Sequence, residues 1–307
     1  MMCPVCGKSV DGIPHIGLLV PMFRSWDHVE ELINYVNWLN GEIVGGVSLT
    51  CVIDGCDQSE LALRDHSKLA NVGIRLVVLS KNFGVGPALR AGMSVQEDCF
   101  TIAFGSDLQE PRELFVDFAN ELMNGSIDFI LGQRSSREDP FLNSLFSKIY
   151  WAVNRWLMFP DSPKGGFDVY GCNRTARHEL IKLEEHRTNI TSQILWLGFR
   201  KRYVMFDRQS RISGKSTWSF RKKLGLFIDS LYSFYPKLLA HALSLFVAAD
   251  VVGFLLIDER TSTHSFWWIF LSAQGIIFVL ILGGYISRIY EQGKNRPTYV
   301  IRESVVL

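Results

Sequence analysis

Residues 99–111 read CFTIAFGSDLQEP. The run from Phe100 to Phe104 is short and apolar, the composition of a strand buried on both faces. It stops at Gly105 and gives way to Ser106, Asp107, Leu108 and Gln109. Glu110, Pro111 and Arg112 then open a helical pattern, with the proline where a first turn tolerates it. A carboxylate at the carboxyl end of such a strand lies where open α/β sheets bind ligands. Asp107 is therefore the first candidate functional residue.

Working outward, His15–Phe23 (HIGLLVPMF), Ser48–Ile53, Ile74–Leu79 and Phe129–Leu131 read as further strands. Asp27 is placed to cap a helix reaching about Asn40, with Val29, Leu32, Ile33 and Val36 at helical spacing. Ala88, Leu89 and Met93 mark a second helix. Strands alternating with helices predict an α/β fold with a mostly parallel sheet. The second strand ends at Asp54-Gly55, and the third runs into Asn82-Phe83-Gly84-Val85-Gly86-Pro87. That glycine spacing is neither a dinucleotide fingerprint nor a P-loop. Two readings stay open there: a tight turn before a helix, or backbone brought close to a nucleotide diphosphate by Asn82 and Gly84.

The chain has 307 residues, enough for one or two domains, and a net charge of +1. Its mean hydropathy of +0.12 is high, and the excess lies near the C-terminus. Two segments stand out there, Leu238–Ile257 (20 residues) and Phe266–Ile286 (21 residues). At a rise of about 1.5 Å per residue each matches a hydrocarbon core of about 30 Å. Asp250 is the one acidic residue inside them, and it costs at least ~2.5 kcal/mol near mid-membrane. Arg221, Lys222, Lys223 and Lys237 precede the pair and Arg288, Lys294 and Arg296 follow it, while the connecting loop 258–265 has Arg260 alone. The positive-inside rule puts both ends in the cytoplasm. Trp218–Tyr235 sets Phe220, Leu224, Phe227, Ile228 and Leu231 on one helical face opposite those cations, a pattern suited to a membrane surface.

Cations also cluster at Gln133–Arg137 and at Arg200, Lys201, Arg202, Arg208, Arg211 and Lys215. Nucleic acid is one partner for such a cluster, but this one runs straight into the apolar segments, so anionic lipid or a lipid phosphate is the closer match. Cys51 and Cys99 fall in strands and read as core thiols. Cys3-Pro-Val-Cys6-Gly is half a zinc knuckle with no second ligand pair. The first 15 residues lack the apolar core of a signal peptide.

Taken together the motifs resemble the family-two glycosyltransferases of the polyprenyl-phosphate type, the group of dolichyl-phosphate mannose synthase and the bactoprenol glucosyltransferases. The resemblance runs from about His15 to Glu303. It rests on Val20-Pro21, Asp54-Gly55, Asn82-Phe83-Gly84, Asp107-Leu108-Gln109-Glu110-Pro111, Gly132-Gln133-Arg134 with Arg137, and Gly165-Gly166-Phe167-Asp168. It continues through Trp196-Leu197-Gly198-Phe199, Arg208-x-x-Arg211 with Gly214-Lys215-Ser216, and Arg296-Pro297-x-Tyr299. Two departures are visible. Ile53 and Cys56 flank Asp54-Gly55 where the family often has Asp and Ser, and Gly105 stands where the metal motif often has its first Asp.

The resemblance implies a GT-A (Rossmann-like) sheet with a C-terminal two-helix transmembrane hairpin. The implied division is a tail 1–14, a catalytic domain 15–216, a juxtamembrane helix 217–236, a hairpin 237–287 and a cytoplasmic tail 288–307. The protein would be multi-pass in the inner or plasma membrane, its catalytic domain cytoplasmic, compatible with a homo-oligomer and with no nucleic-acid partner. The donor would be a UDP- or GDP-sugar, bound by Pro21, Asp54, Asn82, Gly84 and Asp107. Mg²⁺ or Mn²⁺ would sit on Asp107 and Gln109. A polyprenyl phosphate would be gripped by Arg137, Arg208, Arg211 and Lys215, with Asp107, Asp168 and Arg134 as the catalytic set. An acceptor phosphate is already anionic and needs cations more than a general base, and in-line attack inverts the sugar. Two other readings stay open: the same fold acting on a glycan hydroxyl, and an inactive membrane-anchored binding protein.

Overall fold

A computed structural model describes residues 15–135, 141–163, 165–209, 220–235, 237–256 and 263–307. Cys3, Cys6, Arg137, Arg211 and Lys215 lie outside them. The expected apolar runs are strands β1 (Ile16–Met22), β2 (Val47–Ile53), β3 (Ile74–Leu79), β4 (Phe100–Ala103) and β5 (Phe129–Arg134). Three more strands complete the sheet: β6 (Val169–Asn173), β7 (Lys201–Phe206) and β8 (Ile301–Val306). The strand order is β7-β5-β6-β4-β1-β2-β3-β8. β1 pairs in parallel with β2 and β4, β2 with β3, and β5 with β7. β6 runs antiparallel to β4 and β5, and β8 antiparallel to β3.

Helices α1 (Val29–Glu42), α2 (Asp57–His66), α3 (Val85–Val95), α4 (Arg112–Met123), α5 (Phe141–Leu157), α6 (Arg174–Ile181) and α7 (Ile190–Trp196) are interleaved with the strands. α1 begins two residues after the expected cap, because Trp26–His28 forms a 3₁₀ turn that takes up Asp27. Its apolar stripe of Val29, Leu32, Ile33, Val36 and Leu39 is buried, as the spacing requires. Central strands are covered on both faces, which is why β1 and β2 read as almost unbroken apolar runs. Phe104 and Phe115 stack at 4.7 Å between ring centres, with Phe118 edge-on to Phe115 at 5.9 Å. Together they anchor the end of β4 against α4.

The fold falls into two compact units. The first takes residues up to 184, 189–220 and 297–307, and holds the whole sheet. The second takes 185–188 and 221–296. It contains α8 (Phe220–Phe234), apart from its first residue, α9 (Leu238–Leu256) and α10 (Thr263–Gly293). Within it Arg288 pairs with Asp229 at 2.5 Å and lies 3.8 Å over the Tyr232 ring, tying α8 to α10. Gly253 leaves room for the Trp267 ring, where any Cβ would collide, the small-residue contact typical of apolar helix pairs. Within α10, the stretch Trp267–Gly293 is long and apolar enough to cross a membrane, with a mean hydropathy of 2.1 over an 18-residue window.

Candidate active site

The antiparallel insertion of β6 builds the site. Because β6 runs against its neighbours, its first residues lie at the edge where β4 and β5 end. Ala103 pairs with Tyr170 and Gly132 with Val169, so Asp168 emerges beside Arg134 and the turn after β4. β7 runs parallel to β5 with Arg134 opposite Phe206, so Asp207 and Arg208 leave the sheet at the same edge. Four segments far apart in sequence therefore deliver Asp107, Arg134, Asp168 and Arg208 to one place.

The turn carrying Asp107 is held from several sides. Leu108 adopts a left-handed φ of 47°, uncommon for a side chain with a branched tip, and that side chain is buried. Ser106 Oγ lies 2.8 Å from Ser25 Oγ, bridging this turn to the loop after β1. A Cβ on Gly105 would come within 2.7 Å of Asp107 Oδ1, so the glycine leaves that carboxylate its space. Asp107 Oδ2 lies 3.6 Å from Arg208 Nη2, and Arg134 Nε contacts the Asp168 carboxylate. Burial, and then the neighbouring charge of Arg134, hold Arg208 below the ordinary arginine range.

Glu110 is the group that sequence reasoning missed. It reads as the start of a helix, yet its side chain is only 3% exposed and its Oε2 has no hydrogen-bond partner. Its pKa is pushed up to about 7, first by burial and next by the Asp107 charge, against the opposing pull of Arg208. The signal was its position three residues beyond Asp107 at a strand's end, which puts two carboxylates in one field.

Gln109, expected beside a metal, also ties two segments of the site together. It is 6% exposed, its side-chain amide nitrogen donates to the Gln209 carbonyl at 3.2 Å, and its backbone carbonyl accepts from Gln209 N–H at 2.8 Å. The side chain is turned to lacing the segment after β7 onto the motif turn, which fixes Arg208 next door. Asp54 is likewise spoken for. Its carboxylate is 4% exposed and accepts from Phe83 N–H at 2.7 Å and Gly84 N–H at 2.9 Å. It therefore shapes the loop of Asn82 and Gly84. Gly84 has φ 97° and opens α3; Asn82 is exposed; Pro21 sits half-buried near the end of β1. Gly55 permits the close packing beneath, since a Cβ there would lie 2.3 Å from Asn82 N.

The basic cluster of the sequence divides in two. Arg200 pairs with Asp128 at 3.0 Å and Arg202 with Glu121 at 2.7 Å, at the start of β7 and away from Asp107. These two arginines are held in ion pairs at that end of the strand. Arg208, at the other end of the strand, stays with the site. Among the described residues no three His, Cys, Asp or Glu side chains gather closely enough to cage a metal. Cys51, Cys99 and Cys172 are buried, as core cysteines.

No protein-family model matches the chain. It is 24% identical over 305 residues to the bactoprenol glucosyl transferase of Shigella phage SfII, covering 94% of this chain and 98% of the relative. It is 25% identical over 302 residues to an uncharacterised glycosyltransferase of Bacillus subtilis, covering 94% and 93%. It is also 24% identical over 309 residues to one from Synechocystis, covering 94% and 95%. The chain is a glycosyltransferase. Its fold is that of glucosyl-3-phosphoglycerate synthase from Mycobacterium tuberculosis, solved with Mn²⁺, UDP-glucose and phosphoglyceric acid. The TM-score is 0.52 at 15% identity, over 74% of this chain and 82% of that one. Mannosyl-3-phosphoglycerate synthase from Rubrobacter xylanophilus matches with a TM-score of 0.50 at 11% identity, over 71% and 72%. This glycosyltransferase thus carries its charged cluster at the carboxyl edge of a GT-A sheet.

Proposed function

We propose that this glycosyltransferase moves a sugar from a nucleoside diphosphate to a polyprenyl phosphate, with inversion at the anomeric carbon. The observation that carries the reading is the convergence of Asp107, Arg134, Asp168 and Arg208, in a chain similar over nearly its whole length to bactoprenol glucosyl transferases. Two guanidiniums beside the reacting centre suit an acceptor that is itself a phosphate. A glycan hydroxyl would need a base instead, and Asp168 is already engaged by Arg134.

The donor set fits a divalent cation. Arg134 and Arg208 are already balanced by Asp168 and Asp107, so an incoming diphosphate brings uncompensated charge. Asp107 would hold Mg²⁺ or Mn²⁺ as the single carboxylate, since Mg²⁺ commonly takes one or two carboxylates with substrate phosphates and waters. When bound, the ion supplies charge stabilisation to the departing nucleoside diphosphate. Arg208 then grips the acceptor phosphate, Arg134 fixes Asp168, and Asp168 orients the sugar or the acceptor. Asp54 preforms the loop of Asn82 and Gly84 that receives the nucleotide, with Pro21 beside it.

Chain topology supports a membrane hairpin. The residues before α8 and those after α10 belong to one sheet, through β8 pairing with β3. A chain that leaves a domain and rejoins it crosses a bilayer an even number of times. With α10 as one span, the 19 residues of α9, about 28 Å long, are the return partner. Both ends of the hairpin then face the cytoplasm, as the flanking cations require. The test is to incubate membranes containing the protein with radiolabelled UDP- and GDP-sugars and undecaprenyl phosphate. Mild-acid-labile label in the organic phase is expected. Absence of lipid-linked label across the donor panel, or label only in glycan, overturns the proposal.

A further inference from the structure

β8 is the strand the fold did not need in order to make its central sheet, and its contacts gather on one side of the site. It covers the outer edge of β3, with Arg75 opposite Val306, Leu76 opposite Val305 and Val78 opposite Glu303. The register then shifts at Val78/Leu79, and the carbonyl of Val300 accepts from Ser80 N–H at 3.0 Å. Ser80 is the residue at which the chain leaves β3 for the Asn82–Gly84 loop. That loop is thus gripped twice: at its start by the segment leading into β8, and at its far end by the Asp54 carboxylate.

The same strand braces the second element on that side. Arg64 of α2 donates to Glu303 at 2.8 Å and to Glu60 at 3.0 Å. Arg302 donates to Glu60 at 2.5 Å and lies 3.8 Å from Asp57, the first residue of α2. α2 begins directly after Asp54-Gly55-Cys56. Both segments expected to meet the nucleotide are therefore fastened to residues 300–306, which lie in sequence beyond the apolar helices. Among the described residues nothing comparable ties β8 to Arg134, Asp168 or Arg208, which sit across the sheet beyond β4.

We infer that β8 is a positioning element for the donor side of the site, holding the loop of Asn82–Gly84 and the start of α2 in the arrangement that accepts the nucleotide. This rests on the donor reading above and adds that donor and acceptor binding are separable at β8. The alternation of an antiparallel pair supplies the test. Leu307 N–H donates to the Ile74 carbonyl at 2.8 Å, so the N–H groups of Val305 and Glu303 face β3 and that of Ser304 faces outward. Proline at 305 removes a ladder bond, whereas at 304 it removes an N–H that an edge strand does not use.

Steady-state kinetics on the full chain, with UDP-glucose or GDP-mannose as donor and undecaprenyl phosphate as acceptor, decide the matter. Val305→Pro is expected to raise the donor KM at least fivefold, leaving the acceptor KM and the kcat at saturating donor within twofold. Ser304→Pro is expected to stay within twofold on all three. A merely structural loss would lower kcat through the active fraction and leave both KM values in place; that result, or equal changes in the two KM values, overturns the inference. Should Val305→Pro not yield folded protein, Arg64→Glu is expected to raise the donor KM and Arg64→Glu/Glu303→Arg to restore it; lack of rescue counts against the inference. Unmodified protein that turns over neither donor removes the donor reading and this inference with it. Normal turnover with an unmoved donor KM in both tests removes the inference alone.

Discussion

Replacing Glu110 by glutamine should change how stability depends on pH. Glu110 is buried beside Asp107 and Asp168, and its folded pKa is about 7 against an ordinary 4.5. A carboxyl group raised on folding holds its proton more tightly in the native state. Its contribution is complete below about pH 4.5 and is lost as pH rises through about 7. At 1.36 kcal/mol per pH unit, the difference amounts to about 3 kcal/mol once the group has ionised. Glutamine keeps the shape and the neutral state and does not titrate, so its variant should escape this loss. For a unit of this size about 3 kcal/mol corresponds to roughly 6–12 °C in Tm. The measurement is thermal unfolding in detergent between pH 5 and 8.5, by tryptophan fluorescence, for the unmodified protein, Glu110→Gln and the exposed control Glu113→Gln. The unmodified protein and the control should lose Tm between pH 5 and about 7 relative to Glu110→Gln, with no further divergence above that. Parallel profiles for all three would refute the argument that Glu110 is buried protonated.

Asp107→Asn should abolish transfer while leaving the protein folded and membrane-bound; metal-dependent activity at the unmodified level would contradict the role given to this carboxylate. Asp54→Ala strands two backbone N–H groups, a loss of about 2–4 kcal/mol that chemical denaturation should register, together with a donor KM raised by tenfold or more. Arg208→Ala should raise the acceptor KM about tenfold, from a charge-assisted contact of about 1.5–3 kcal/mol, with donor binding nearly unchanged. The same loss in Lys222→Ala would mean that bulk charge alone is at work. Cysteine placed at Ser265 should label from outside intact cells and cysteine at Leu307 should not; the reverse pattern would exclude the hairpin.

The parts of the fold that were legible are those whose burial is uniform. β1 to β5 are apolar runs because both faces are covered, and α1 announces itself by its stripe. β6, β7 and β8 were not, for a physical reason. β8 alternates half-buried and exposed residues, such as Glu303 and Arg302, and β7 opens on Lys201 and Arg202 and buries only Phe206. β6 contains Gly171 and Asn173. The candidate site was legible as a set of residue types, since Asp107, Arg134, Asp168 and Arg208 do converge. What the sequence could not disclose was occupancy. The hydrogen bonds made to Gln109 and Asp54 come from Gln209, Phe83 and Gly84, and the desolvation of Glu110 comes from a burial that its local sequence does not show.

The return of the chain to its own sheet also orders events in time. β8 lies beyond α9 and α10, so it leaves the ribosome after both of them. Until then β3 is an open edge with unpaired backbone groups, the kind of surface that pairs with the wrong partner. The edge of β3, and with it the loop of Asn82–Gly84, is therefore braced only after the apolar helices have emerged. On the function proposed above, a half-made chain would carry Arg208 and no settled place for a donor, and so could not yet spend a nucleotide sugar.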